Sequence, residues 1–328
     1  MKTNLIIATY GGKLDKYKNN NTKDYYLRYN LELLNSIETD ITQITIMRPK
    51  INKEHNEIKD YYNFENLKID KIKNKIKIID CENIGISYGQ FFSGISKNRE
   101  FDYYIFIEDD YIVFQDHFEK KLIDEYKLNN DSQSLLCSFI YKNKFWDIFD
   151  YAKSINELED NINILKHKLS NFTNNNINLL CNIPDFSLCI LHKDAVDKIF
   201  TYYENIENIL NLFDINFTNI WLHQILFGYV LKIANINIFD MRDSYMNIFF
   251  HSGSNKISLC NSENIDDFLI DNNPKKRLKN PLFIPLDILY PNNYNNILNI
   301  MIQHLINGSM FINQYNKLQN IKSLLNYK

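Results

Sequence analysis

The sequence predicts an α/β fold, a mostly parallel sheet covered by helices on both faces and followed by a helical appendage. Three observations predict it. Short apolar runs recur from the start of the chain, each closed by a turn and followed by helical periodicity, which is the pattern of repeated strand–helix units. The runs are nearly continuous in apolar residues, as strands buried on both faces require. Glycines and a triplet of carboxylates collect after these runs, where the turns at one edge of such a sheet would lie.

The first run, NLIIAT at 4–9, stops at Tyr10-Gly11-Gly12 and reads as a buried strand and its turn. A Tyr- and Leu-rich stretch over 24–37 is helical, and ITQITIM at 41–47 is the second strand, closed by Arg48-Pro49. A lysine-rich segment leads to the third strand, KIKIIDC at 75–81, and NIGISYGQFFSGI at 83–95 is a turn entering a helix. DYYIFIEDD is the fourth strand, and the region 116–127 is again helical. SLLCSFIY at 134–141 and DFSLCIL at 185–191 continue the sheet. Between them Ile155, Leu158, Ile162, Leu165 and Leu169 recur at three- and four-residue spacing, an amphipathic helix. A helix over 216–233 precedes NINIFD at 235–240. After residue 262 the pattern changes to two helical stretches divided by Asn307-Gly308-Ser309. The expected organisation is a main domain at 1–261, with halves 1–127 and 128–261, and a helical extension at 262–328.

With 328 residues the chain can bury a full core. Its 45% hydrophobic and 23% charged residues are those of a soluble globular protein. A net charge of −3 excludes a general nucleic-acid binder, which carries a basic face. Cys81, Cys137, Cys181, Cys189 and Cys260 are odd in number and lack any CxxC spacing, which fits reduced thiols in the cytoplasm. Leu5-Ile6-Ile7-Ala8 is too short for a signal-peptide core, and no run reaches transmembrane length.

YIFIEDDYIVF at 104–114 sets Glu108, Asp109 and Asp110 inside an apolar run. Burying an unpaired carboxylate costs several kcal/mol, roughly, so a partner is required. In an open parallel sheet, ligands bind outside the carboxyl ends of the strands, where this triplet falls. A divalent cation is the preferred partner, since Mg²⁺ and Mn²⁺ take carboxylate and phosphate oxygens together. Only eight glycines occur, and Gly11, Gly12, Gly85, Gly89 and Gly94 follow strands one and three on that same edge. Glycine lets backbone approach a ligand closely, and a helix N-terminus favours phosphate.

On IIATYGG, ENIGISYG and above all FIEDDY, residues 3–255 resemble the nucleotide-sugar-dependent glycosyltransferases of the GT-A fold, family 2-like, with an EDD form of the DxD motif. The resemblance implies a Rossmann-like GT-A sheet and transfer of a sugar from a nucleotide sugar, a UDP-sugar being expected, to a hydroxyl acceptor with inversion. It implies that Asp110 binds the metal, that Asp109 contacts the ribose or the metal's water shell, and that Glu108 is secondary. Thr9, Tyr10 and Gly11 would surround the base, with Asn83 and Gly85 near the nucleotide. His251, in MNIFFHSGSNK, is similar to the late His that completes the metal site in many such enzymes. An imidazole ligand favours Mn²⁺ over Mg²⁺. Arg242 and Lys256 are cations nearby in sequence that would steady a diphosphate.

An inverting enzyme needs a general base for the acceptor hydroxyl. The register at which such enzymes carry an acid falls on His223, so the base is either His223 itself or one of Asp185 and Asp214. The sequence departs from the family at Met47-Arg48-Pro49, where an Asp-rich turn is usual, and at Gln90-Phe91, where an Arg-Asn pair is frequent. Two other functions share this pattern: a sugar-nucleotidyltransferase and a non-catalytic binding protein on the same fold. The expected partners are the donor and a glycan, protein or small-molecule acceptor, with the C-terminal helices a candidate surface for oligomerisation.

Overall fold

The computed structural model describes residues 1–9, 26–50, 62–109, 112–113, 116–137, 140, 147–173, 181–184, 188–241 and 249–250. Its centre is a seven-stranded sheet in the order β3-β2-β1-β4-β7-β6-β8. The strands are β1 Thr3–Ala8, β2 Gln43–Pro49, β3 Ile76–Cys81, β4 Tyr103–Glu108, β6 Ser134–Cys137, β7 Cys189–His192 and β8 Asn237–Asp240. β3, β2, β1 and β4 are mutually parallel, and β7 runs antiparallel to both its neighbours, β4 and β6. This is the mixed, mostly parallel α/β sheet that the sequence predicts.

The two faces of the sheet hold two cores. On one, Leu5 and Ile7 of β1, Ile44 and Ile46 of β2, and Ile105 and Ile107 of β4 pack with helix α1 (Tyr26–Ser36) and helix α3 (Phe118–Lys127). On the other, Ile6, Ala8, Met47, Tyr104 and Phe106 meet α2 (Ile86–Ser96) and the helices of the second half. Successive strand residues point to opposite faces. A strand covered on both sides is therefore apolar at successive positions, which is why LIIA at 5–8 shows no alternation.

The second half carries α4 (Ile148–Ser154), α5 (Glu159–Thr173), α6 (Lys193–Tyr203), α7 (Ile206–Phe213) and α8 (Trp221–Ile233). Here the structure differs from the periodicity. Ile155 and Leu158 are not on the amphipathic helix. α4 ends at Ser154, Asn156 takes the left-handed conformation at φ 55, and the Glu157 N–H reaches back 2.9 Å to the Ala152 carbonyl. That turn closes one helix and opens the next, leaving Leu158 58% exposed. α6 and α7, which the sequence reading leaves unassigned, are opened by His192, whose Nδ1 accepts from Asp194 N, and by Asn205, whose side chain accepts from Asn208 N. Of the expected strand at 134–141, Ser134–Cys137 is described as β6 and Ile140 bridges to Pro184, while 138, 139 and 141 lie outside the described residues. β2 instead runs through Pro49, because β1 pairs no further than Ile46 and the missing proline N–H faces no partner.

A two-stranded sheet pairs β5 (Ile112–Val113) with β9 (Phe249–Phe250), Ile112 opposite Phe250. The extension at 262–328 lies outside the described residues.

Candidate active site at the carboxyl edge of the sheet

β4 ends on the first acid of the triplet, with Glu108 opposite Ala8 of β1. The next N–H, that of Asp109, donates to the Ala8 carbonyl at 2.9 Å, so the backbone ladder carries one residue past the strand. Glu108 is half-buried, and Asp109 is 7% exposed. Two carboxylates thus stand at the carboxyl end of a central parallel strand, between the ends of β1 and β7. Asp110 lies outside the described residues. So do Tyr10, Gly11, Asp185, Arg242, His251 and Lys256. The β5–β9 pair flanks two of these positions in sequence, since Ile112 follows Asp110 by two residues and Phe250 precedes His251.

Thr9 is fully buried at the end of β1 and is held by four hydrogen bonds. Its N–H donates to Gln90 Oε1 and its carbonyl accepts from Gln90 Nε2, both at 2.9 Å. Its hydroxyl donates to the Met47 carbonyl at 2.6 Å and accepts from the Tyr62 hydroxyl at 2.5 Å. Fully buried and with every polar atom already hydrogen-bonded, Thr9 fixes the strand end. Burial pushes the Tyr62 phenol well above its usual range; the Thr9 hydrogen bond opposes this, and the charge of Asp109 adds to it. Tyr62 stays a neutral donor, and its electrostatic link to Asp109 brings it to the acidic end of the edge.

At the end of β2 and β3, Arg48 forms a two-pronged pair with Asp80, Nε to Oδ1 at 2.5 Å and Nη2 to Oδ2 at 3.0 Å. Hydrogen bonding to its partner raises the Arg48 pKa and lowers that of Asp80. The guanidinium carbon sits 5.8 Å from the centre of the Tyr62 ring. Asn83 is exposed in the turn that follows. Gly85, at φ +66, opens α2, and a Cβ there would stand 2.4 Å from Phe213 Cβ. The close approach this glycine permits is thus to α7.

In the second half of the chain, His223 is 6% exposed in the first turn of α8, edge-on to Phe217 with ring centres 4.9 Å apart. Burial lowers its pKa, opposed by the carbonyls of Phe213 and Ile215 and by the Glu157 charge. Its Nδ1 is buried without a hydrogen-bond partner. The imidazole is therefore neutral near pH 7, the form a base requires. Asp214 is exposed at the end of α7, its carbonyl accepting from Lys168 Nζ at 2.9 Å.

The sequence leaves the roles of three groups unread. Gln90, noted there only as a departure at Gln90-Phe91, is a fully buried amide, and a buried polar group needs a partner. Glu157, 6% exposed, accepts from Thr218 N, Thr218 Oγ1, Asn161 Nδ2 and Leu158 N, and so holds the chain that enters α8. Tyr62 lies in a lysine-rich segment with no local pattern to mark it.

No protein-family model matches the sequence, and no curated protein matches it. Solved structures that resemble it include the glycosyltransferase GlyE of Streptococcus pneumoniae TIGR4, 12% identical over 74% of this chain and 46% of that one, with a TM-score of 0.35. HddC from Yersinia pseudotuberculosis is 14% identical over 63% of this chain and 81% of its own, with a TM-score of 0.35. TarS of S. aureus is 12% identical over 91% and 45%, with a TM-score of 0.37. The chain spans less than half the length of GlyE and of TarS. At this level of likeness no family is assigned.

Proposed function

We propose that the chain is a metal-dependent glycosyltransferase that moves a sugar from a nucleotide sugar, a UDP-sugar, to a hydroxyl acceptor with inversion. The observation that carries this reading is the pair of carboxylates at the carboxyl end of β4, one of them buried, beside the end of β1. An open sheet takes its ligands at that edge. The oxygen donors of Glu108 and Asp109 suit Mn²⁺ or Mg²⁺, and the pairing of Ile112 with Phe250 supports including Asp110 and His251. When bound, the cation would stabilise charge on the departing diphosphate as a Lewis acid.

In this reading Asp110 and His251 hold the metal with Glu108 in support, and Asp109 contacts the ribose or the metal's water shell. Tyr10, Gly11 and Asn83 line the nucleotide, with Arg242 and Lys256 steadying its diphosphate, while Thr9 and Gly85 position the strand end and the start of α2 behind them. The acceptor oxygen attacks the anomeric carbon as the bond to the diphosphate oxygen breaks. The hydroxyl proton passes to His223, Asp185 or Asp214.

A panel of nucleotide sugars with Mn²⁺, followed by transfer and by release of nucleoside diphosphate, tests the reading. Turnover of one donor supports it. Turnover of sugar phosphate with a nucleoside triphosphate would replace it with nucleotidyl transfer. Failure to bind any nucleotide would leave a binding protein on this fold.

A further inference from the structure

At the opposite edge of the sheet, where β1 and β2 begin, Asp40, His117 and Glu119 come together. The connection from α1 to β2 meets the start of α3 there, Thr42 N donating to the Thr3 carbonyl at 2.9 Å and His117 N to the Glu38 carbonyl at 2.6 Å. One ring nitrogen of His117 and one oxygen each of Asp40 and Glu119 lie within 4.8 Å of one another. Among the described residues this is the one such group of three or more His, Cys, Asp or Glu side chains.

The state of each donor is informative. His117 Nε2 faces Glu38 Oε2 at 3.4 Å, while Nδ1 is shut off from solvent with no hydrogen-bond partner. A carboxylate near one imidazole nitrogen favours the proton there and the lone pair on the other, the tautomer that a metal-bound histidine needs. Glu119 is 1% exposed. Its Oε2 accepts from Thr39 Oγ1 at 2.9 Å and its Oε1 from Asp40 N at 2.8 Å. Two neutral donors only partly offset a buried carboxylate, and each oxygen keeps a second lone pair. Asp40 is paired with Lys120 Nζ at 2.5 Å, which lowers its pKa. The cluster thus already attracts a cation at Asp40, and Glu38 and Asp116 add further negative charge, Asp116 Oδ1 accepting from Glu38 N at 3.0 Å.

We propose that Asp40, His117 and Glu119 bind a divalent transition cation of the zinc class, which clamps the α1–β2 connection to α3. One nitrogen and two carboxylate oxygens suit Zn²⁺ and exclude Mg²⁺ as the preferred ion. Ligand atoms of tetrahedral zinc, at about 2.0–2.1 Å from the ion, stand roughly 3.3 Å apart. The cluster therefore closes on the ion by movement of side chains, and Lys120 swings off Asp40 to solvent. The site stands apart from the proposed sugar-transfer edge and does not depend on that function.

The test is zinc titration of the full chain, freed of metal and without nucleotide, by competition with a chromophoric chelator. His117→Asn is the first variant, because Asn tolerates the left-handed φ of 55 that residue 117 adopts. It should lose one zinc equivalent or bind it at least tenfold more weakly, roughly the effect of disturbing a metal ligand. Lys120→Met removes the competing ammonium and should tighten the same site. Cobalt in place of zinc should give a visible absorption band in the wild type that His117→Asn lacks. Wild-type stoichiometry and affinity in His117→Asn, or a wild-type chain that takes up no zinc, would overturn the proposal.

Discussion

Gln90→Leu tests how the carboxyl edge is held. The Gln90 amide lies against the backbone of Thr9 with both its groups used, and neither residue is exposed to solvent. Leucine has a similar bulk and keeps the helix, but it strands one N–H and one carbonyl in a closed space. Each orphaned backbone group costs about 1–3 kcal/mol, so the pair costs about 2–6 kcal/mol. Extra apolar contact from leucine draws the result toward the lower end. Against a domain stability of about 5–15 kcal/mol, such a loss is large enough to read from a urea midpoint at unchanged slope. The same variant should weaken donor binding, because Thr9 is next to the Ala8 carbonyl that receives the Asp109 N–H. A loss below about 1 kcal/mol would mean that the amide is not the clamp that fixes Thr9.

Three further outcomes follow from the same geometry. Gly85→Ala should cost at least ~1 kcal/mol from the positive φ alone, and more from the 2.4 Å approach to Phe213, read as a lower melting temperature. Burial raises the Glu157 pKa, but hydrogen bonds from Thr218, Asn161 and Leu158 prevail and hold it below the ordinary 4.5. The unfolded chain then takes up the proton first on acidification, so this stabilisation is full above that value and lost as pH falls through the folded pKa. Glu157→Gln should therefore flatten the acid limb of a stability-against-pH curve. Asp110→Asn should abolish metal-dependent UDP binding while leaving the fold intact, and calorimetry showing unchanged affinity would remove Asp110 from the metal site.

β1, β2 and β4 were readable because burial on both faces forces nearly continuous apolar runs, while β3, at the sheet's edge, carries exposed Lys77 and Asp80 among its apolar residues. The acids at the end of β4 were readable for the complementary reason, that charge inside such a run must sit at its exit. Long-range pairings were not. Arg48 meets Asp80 through the register of β2 on β3, and Thr9 meets Tyr62 through a contact 53 residues apart in sequence. Gly85 was legible as a special position, but its reason was not. Any glycine after a strand can receive a ligand, and only the packing of α7 on α2 shows that Phe213 takes the space. The break after Ser154 was hidden because Ile155 and Leu158 continue a helical spacing by coincidence, while Asn156 supplies the left-handed turn.

The same packing sets the surroundings of His223. Phe227, one turn along α8 from His223, stacks on Tyr88 of α2 at 4.8 Å between ring centres, and Tyr88 also stacks on Phe213 at 6.3 Å. His223 is thereby pressed among Phe217 and the carbonyls of Phe213 and Ile215. Carbonyl oxygens beside the ring and the charge of Glu157 favour an N–H over a carboxylate there. His223→Glu should therefore lose several kcal/mol, about the penalty of burying an unpaired charge, whereas His223→Gln, which still donates, should fold nearly as well as the wild type. Turnover then separates the two roles of the imidazole. If His223 takes the acceptor proton, the Gln variant should fall by about 10²–10⁴-fold with donor affinity unchanged. Near-normal transfer in His223→Gln would make the imidazole a packing group and leave the base to Asp185 or Asp214. A stable, fully folded His223→Glu would refute the account of the pocket itself.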